Sequence, residues 1–380
     1  MVTLTIERQK EFSRRGFSRR SFGRLATVLA AGSTLPFYNE SALAQFSKVD
    51  DVAPDAVMIN ANENPLGPCK EALEAVHRIA ANGGRYMYGE ADKVQRLLSD
   101  QEGVKLDYVR IYPGSSAPLH QAVLAFTSPE RALVVADPSY EAGERAARFI
   151  GSKVVRVPLT KDYSHDVKAM VEAAPDAGLF YICSPNNPTG TLTSKSDIEW
   201  LVANKPKGSV VMVDEAYTHI AGVPFNTDLV AADKDVIVLR TFSKIYGMAG
   251  LRAGAAIARP DLIEKLAGFG AGMLPITGMA AATASLEQKT LVPERRKRIG
   301  DVREDTLAFL DKHKFHYVPS VSNCFMVDTG RPGNEIVMAM RREKVYIGRV
   351  WSTWPTFVRV SVGTPDEMSK FKTAFLKVIP

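Results

Sequence analysis

From residue 109 onward, short apolar runs recur along the chain, separated mostly by segments of helical spacing. The runs are Val109–Tyr112, Ala132–Ala136, Val154–Val157, Leu179–Cys183, Val210–Val213, Val236–Leu239 and Ala253–Ala258. Unbroken hydrophobicity of this length marks strands covered on both faces. Their rhythm with the helical segments predicts an α/β fold with a mostly parallel, seven-stranded sheet. Upstream, Lys70–Ala80 carries helical periodicity and Asn82-Gly83-Gly84 ends it. The aromatic loop Arg85-Tyr86-Met87-Tyr88-Gly89 precedes a second expected helix over Asp92–Gln101. Beyond Pro275 the texture changes to long helices, a charged one around Glu294–His313 and another over Asn334–Lys344. Strands are expected near Asn323–Val327 and over Phe357–Val362, with a terminal helix from Pro365. The predicted division is a leader over 1–44, a large domain over 76–279, and a smaller α+β domain built from 45–75 and 280–380.

Composition adds bounds. The 380 residues are 46% apolar and 24% charged, a globular balance. The net charge of +6 is uneven: residues 1–44 hold seven basic and three acidic side chains, leaving 41 and 39 for the rest. The basicity therefore belongs mostly to the N-terminus, and no nucleic-acid partner is expected. Three scattered cysteines make neither a disulfide framework nor a metal knuckle. The N-terminus itself has an order of features. Ser18-Arg19-Arg20-Ser21-Phe22-Gly23-Arg24 is followed by an apolar run from Leu25 to Leu35 and by Ala42-Leu43-Ala44. This resembles a twin-arginine export signal with a small-x-small cleavage site. The resemblance implies export of a folded protein to the periplasm, with no membrane association after cleavage. A second pair, Arg14-Arg15, lies upstream, and a basic tail or an amphipathic surface helix is the plainer alternative.

Candidate chemistry clusters where strands end, which is where open α/β sheets bind ligands. Thr241-Phe242-Ser243-Lys244-Ile245-Tyr246-Gly247-Met248-Ala249-Gly250-Leu251-Arg252 follows an apolar run. A lysine amine held out of water becomes a usable nucleophile for carbonyl carbon, and hydroxyls with an arginine grip a phosphate dianion. These are the two needs of pyridoxal 5'-phosphate. Tyr112-Pro113-Gly114-Ser115-Ser116-Ala117 opens a helix after the first strand and offers backbone N–H groups to an anion. Tyr140, in Asp137-Pro138-Ser139-Tyr140, is either a stacking partner for a flat ring or a surface tyrosine. Ser184-Pro185-Asn186-Asn187-Pro188-Thr189-Gly190 is a rigid loop that holds an amide at a strand end. Asp214, ending Val210–Val213, needs a partner if buried, and a pyridinium N–H would be one; a capping aspartate is the alternative. No metal site is expected, because His165 and His219 lack ligand spacing with other donors.

Asn187-Pro188-Thr189-Gly190, Asp214-Glu215-Ala216-Tyr217, Ser243-Lys244 and Arg252 resemble the motif set of fold-type I, pyridoxal 5'-phosphate-dependent aminotransferases. Asn60-Ala61-Asn62-Glu63-Asn64-Pro65 and Val358-Arg359-Val360-Ser361-Val362-Gly363-Thr364 are similar to the histidinol-phosphate aminotransferase branch, and the likeness spans roughly residues 57–380. The resemblance implies transfer of an amino group between an amino acid and a 2-oxo acid by a homodimer with shared active sites. It implies Lys244 as the Schiff-base lysine and proton shuttle, Asp214 on the pyridine nitrogen, and Asn187 and Tyr217 on the ring oxygen. Tyr140 would stack on the ring. Ser115, Ser116, Ala117, Thr241, Ser243 and Arg252 would form the phosphate cradle, and Tyr86 would reach the neighbouring subunit's cofactor. Arg359 would take the substrate carboxylate, with Arg349 and Asn64 also on the substrate side. Trp351 and Trp354, after Arg349, would either line a side-chain pocket or pack a domain edge. The chain departs from the pattern at Ser116-Ala117-Pro118, where the family usually has an acidic residue. Two other functions stay open on sequence: a decarboxylase or lyase of the same fold, and a non-catalytic periplasmic binding protein.

Overall fold

A computed structural model of the chain describes residues 5–18, 21–25, 52–270 and 272–379. Its strands, in chain order, are β1 (Val57–Ile59), β2 (Val109–Tyr112), β3 (Ala132–Asp137), β4 (Val154–Pro158), β5 (Ala177–Cys183), β6 (Val210–Asp214), β7 (Val236–Thr241), β8 (Gly254–Ala258), β9 (Cys324–Asp328), β10 (Val345–Ile347) and β11 (Phe357–Ser361). All seven expected apolar runs, β2 to β8, form one sheet in the order β2-β8-β7-β6-β5-β3-β4. Only β8 runs against its neighbours. Every residue of β5, β6, β7 and β8 is buried, which is why these strands read as unbroken apolar runs.

Two smaller sheets stand beside it. β1 pairs with β10 in parallel, and β9 with β11 antiparallel, so residues just upstream of the large sheet join C-terminal strands. The boundaries expected at 76 and 279 both fall inside helices, Lys70–Ala80 and Ile276–Leu286. Ala75 meets Ala280 and Ala284 between these helices, and such small side chains let two helices approach closely. The helix expected from Asp92 starts at Gly89, with Glu90 and Asp92 in its first turn, where carboxylates face the positive end of the helix dipole. It is tied to the sheet by Arg240 on β7. The Arg240 guanidinium binds Glu102 on that helix (Nε–Oε1 2.7 Å) and also Glu215 just after β6. Burial alone would lower the Arg240 pKa, but the two carboxylates raise it above the ordinary arginine value. Glu215 also accepts from the Asn226 backbone N–H and side chain (2.8 and 2.7 Å), so this carboxylate is a structural hub.

Part of the expected leader lies on the body. A helix, Ile6–Arg14, is capped by Thr5 and leads to Phe12 and Phe17, which meet edge to face at 5.7 Å and are buried, as is Leu25. Arg15 sits over both rings and donates to the carbonyls of Leu124 and Thr127 (2.5 and 2.8 Å) at the end of the helix Ser116–Phe126. A cation there complements the negative end of the helix dipole. Arg19, Arg20, the run beyond Leu25 and the expected cleavage site lie outside the described residues.

Candidate active site

β2, β3, β5, β6 and β7 end on the same edge of the sheet, and a cavity of about 270 Å³ opens there. Ten of the expected residues line it: Ser115, Ser116, Tyr140, Asn187, Asp214, Tyr217, Thr241, Ser243, Lys244 and Arg252. They come from several strand-to-helix connections, so tertiary folding gathers what is scattered over some 140 positions.

Lys244 is buried, and its Nζ donates to the backbone carbonyl of Asn62 at 2.8 Å. It stands 5.5 Å from the Tyr217 ring centroid. The turn that carries Lys244 is clamped by Asn64, whose side-chain amide donates to the carbonyls of Lys244 and Ile245 (3.0 and 3.1 Å) while its oxygen accepts from Leu66 N (3.0 Å). Asn64 thus acts behind the lysine rather than on the substrate side, because both ends of its amide are spent on backbone. Asn62 instead faces the site: its amide donates to Tyr217 Oη (3.1 Å) and its oxygen accepts from Ser361 Oγ (2.9 Å). It adopts a positive φ of 51°, which Asn tolerates better than most residues.

Asp214, at the end of β6, is buried. Burial raises its pKa, opposed by hydrogen bonds from Tyr181 Oη to Oδ2 (2.9 Å) and from Ala216 N to Oδ1 (3.2 Å). The register of β5 against β6 sets Cys183 opposite Asp214, and Tyr181, two residues earlier on the same face, reaches the carboxylate diagonally. The sequence pattern points to neither Tyr181 nor Cys183, since strand alternation names a site face only once the register is known. Burial pushes both their pKa values well up, so both stay neutral.

The rigid loop after β5 is organised by Asn186. Its side chain donates to Pro138 O (3.1 Å) and Thr189 Oγ1 (3.0 Å) and accepts from Ser139 Oγ (2.8 Å). The neighbouring Asn187 points to the cavity, and its Oδ1 accepts from Arg359 Nη1 at 2.8 Å. Arg359, on β11, is fully buried, and its Nη2 donates to Asn60 O (2.7 Å). A buried arginine offers a planar set of donors that suits a carboxylate in a bidentate pair.

At the other end, Arg252 has φ 57° and donates to Ala249 O (2.7 Å) and Pro113 O (3.1 Å). Burial lowers its pKa. Gly114, φ 90°, lies against this guanidinium, and a Cβ there would collide with it. The hydroxyls of Ser115, Ser116 and Ser243 share this part of the cavity wall. An anion here would meet helix N–H groups, hydroxyls and a guanidinium whose charge burial disfavours.

One expected cradle residue does not line the cavity. Ala117 is buried in the first turn of the helix Ser116–Phe126 and belongs to the hydrophobic core rather than the cavity wall. Tyr86, expected at the cofactor of a second copy, is 63% exposed and stacks on Tyr88 at 5.7 Å. Arg349 is paired with Glu141 (Nη1–Oε2 2.6 Å). Trp354 packs an edge with Tyr163 and Phe357, whereas Trp351 lies between two arginines, 4.6 Å from Arg349 and 5.5 Å from Arg359.

The donor set fits pyridoxal 5'-phosphate: an anion cradle at one end, a lysine amine between, and a buried carboxylate whose raised pKa calls for a cationic N–H. Residues 54–375 match the family described as aminotransferase class I and II. The chain belongs to that family. Among its class I and II relatives, a histidinol-phosphate aminotransferase of Symbiobacterium thermophilum is 34% identical over 84% of this chain and 90% of its own length. An aromatic amino acid aminotransferase of Cutibacterium acnes is 33% identical over 88% of this chain and 93% of its own. The fold is shared with a histidinol-phosphate aminotransferase of Sinorhizobium meliloti solved with pyridoxal-5'-phosphate, at a TM-score of 0.80 and 24% identity, over 91% of this chain and 95% of that one.

Proposed function

We propose that the protein is a pyridoxal 5'-phosphate-dependent aminotransferase that moves an amino group between an amino acid and a 2-oxo acid. The observation that carries this reading is the meeting of Lys244, Asp214, Asn187 and Tyr217 in one buried cavity whose far wall is an anion cradle. Bound there, the cofactor supplies an electron sink for the bonds at the substrate's Cα. The protein's own groups do the rest. Ser115, Ser116, Thr241, Ser243 and Arg252 hold the phosphate. Asp214, with Tyr181 donating to its Oδ2, would hold the proton on the ring nitrogen. Asn187 and Tyr217 orient the ring oxygen, and Tyr140 covers the ring face. Lys244 Nζ anchors the cofactor in the resting protein and moves the Cα proton during turnover. Arg359 takes the substrate carboxylate in a bidentate pair. Lys244→Ala should abolish both the visible band of the lysine-bound cofactor and transamination. Activity that survives this change sinks the mechanism.

Two further parts of the reading concern where and how the protein works. The order Arg19-Arg20, apolar run, Ala42-Leu43-Ala44 supports export by the twin-arginine route to the periplasm. Arg19→Lys together with Arg20→Lys should then retain the protein in the cytoplasm, read by cell fractionation. The exposed, stacked pair Tyr86 and Tyr88 supports a homodimer in which this loop meets a second copy. Light scattering of the purified protein checks the mass, and a monomer removes the shared site.

A further inference from the structure

Asn62 touches two residues of the site at once. Its backbone carbonyl accepts from Lys244 Nζ at 2.8 Å, and its side-chain amide donates to Tyr217 Oη at 3.1 Å. It is fully buried, between Ala61 and Glu63, which line the cavity. Its φ of 51° is one that Asn, Asp and Gly adopt more readily than other residues. The backbone alone would therefore accept glycine here, so the amide itself has work to do.

An amide fits its place either way round, and its neighbours decide which end is which. Ser361 Oγ accepts from the Asn62 backbone N–H (2.8 Å) and gives its own proton to Asn62 Oδ1 (2.9 Å). Cys324 gives its proton to Pro188 O (3.7 Å), and its sulfur accepts from Asn62 Nδ2 (3.2 Å). Ser361 and Cys324 stand opposite one another where β11 pairs with β9, so one rung of that small sheet holds the amide from both ends. The other Nδ2 hydrogen goes to Tyr217 Oη. A phenol has one proton, and a phenol that accepts from an amide keeps that proton for an acceptor of its own. Accepting also makes it a stronger donor, because hydrogen bonds in a chain polarise one another. With the amide reversed, an oxygen would face Tyr217 and take the hydroxyl proton for itself.

We infer, on the basis of the aminotransferase reading, that Asn62 is a positioning residue for the reaction: its amide, oriented by Ser361 and Cys324, fixes Tyr217 as a hydrogen-bond donor to the ring oxygen of the bound cofactor. The nitrogen that joins Lys244 to the cofactor holds its proton partly through the negative charge on that oxygen. A donor on the oxygen weakens this hold and lowers the pH at which the proton leaves.

The test is a pH titration of the visible band of lysine-bound cofactor in the purified holoenzyme. Asn62→Gly keeps the backbone carbonyl and suits the positive φ. It should raise the midpoint by roughly 0.5–1 pH unit, the equivalent of one ordinary hydrogen bond. Glu63, Tyr140, Cys183, Asp214 and Arg252 also line the cavity and Arg359 donates to Asn187, and this substitution alters no charge among them. On a Tyr217→Phe background, whose midpoint is itself raised, Asn62→Gly should move it no further. An unmoved midpoint in an Asn62→Gly protein that keeps its band and melting temperature overturns the inference. So does a shift that persists without the Tyr217 hydroxyl, or a wild-type band that keeps its proton over the whole range in which the protein stays folded. If Asn62→Gly does not fold, Asn62→Asp carries the test. It keeps the shape of the side chain and turns the Tyr217 proton onto its own carboxylate, so it should raise the midpoint further with Tyr217 present than on the Tyr217→Phe background; equal shifts overturn the inference. Failure of the wild-type protein to form the band with added cofactor, or of every amino acid to convert it, overturns the aminotransferase reading itself, which separates the two failures.

Discussion

At the scale of single residues, the site combines groups that stabilise the protein with groups that strain it. Asp214 belongs to the second kind. Its pKa is raised by burial, so without cofactor its contribution to stability is largest below the unfolded carboxylate value near 3.8 and is lost as pH rises through the folded value. Asp214→Asn should therefore stabilise the apo-protein at neutral pH, by roughly 1–2 kcal/mol, while transamination is lost. The gain should shrink as pH falls toward 4. Urea melts of the apo-proteins across this range check it, and an Asn variant less stable than wild type at pH 7 contradicts the burial argument. Tyr181 acts through Asp214 as a positioning residue. Its hydroxyl is a donor to a charged group, an interaction worth roughly 1.5–3 kcal/mol. Tyr181→Phe should weaken cofactor retention by about tenfold or more. It should also move the pH profile of the bound cofactor's absorbance, which a purely structural loss would leave in place.

At the scale of elements, the N-terminal segment is the least expected. Phe12 and Phe17 are buried, and a fully buried phenylalanine contributes about 1.5–3 kcal/mol. Ordering a terminal segment offsets part of that gain. Removing residues 1–25 should lower the melting temperature by several degrees, and Arg15→Ala should reproduce part of the loss. A truncated protein with an unchanged melting temperature means that the segment adds nothing to the fold. The same docking bears on export: before any cleavage, residues close to the arginine pair rest on the helices Ser116–Phe126 and Ala142–Ile150, with Arg24 Nη1 on Phe149 O at 3.2 Å. Elements elsewhere follow their local signals closely. Lys70–Ala80 forms the helix its periodicity predicts, and the terminal helix begins at Pro365 behind a Thr364/Glu367 capping box.

At the scale of the whole molecule, two buried histidines tie folding to pH. Burial lowers the pKa of His165 to about 4, and burial with the nearby Arg240 and Arg296 charges lowers that of His219 to about 3. Each stays neutral when folded, so its contribution is complete above the unfolded value of 6.5 and is lost as pH falls toward those lower values. For His165 the loss should reach roughly 3 kcal/mol by pH 4, because a tenfold change in proton affinity corresponds to about 1.4 kcal/mol. Urea midpoints should fall steadily from pH 7 to 5, and less steeply in His165→Gln. A flat wild-type profile would show that these histidines gain a proton without unfolding the protein.

The order of strands and helices was legible in the chain because each depends on local patterning: unbroken apolar runs for strands buried on both faces, a 3.6-residue period for helices. Ten cavity residues were legible as well, because they sit in short motifs just after those strands. What the chain alone did not determine depends on register and on contacts far apart in sequence. Tyr181 reaches Asp214 only because β5 and β6 pair in one particular register. Asn64 and Asn62 are two residues apart, yet the fold turns one behind Lys244 and the other toward Tyr217. The resemblance puts Arg349 on the substrate side, and only the tertiary structure sets Glu141, 208 positions away, against it. A charge attracts whichever opposite charge the fold brings within a few ångströms, and chain position does not record that distance.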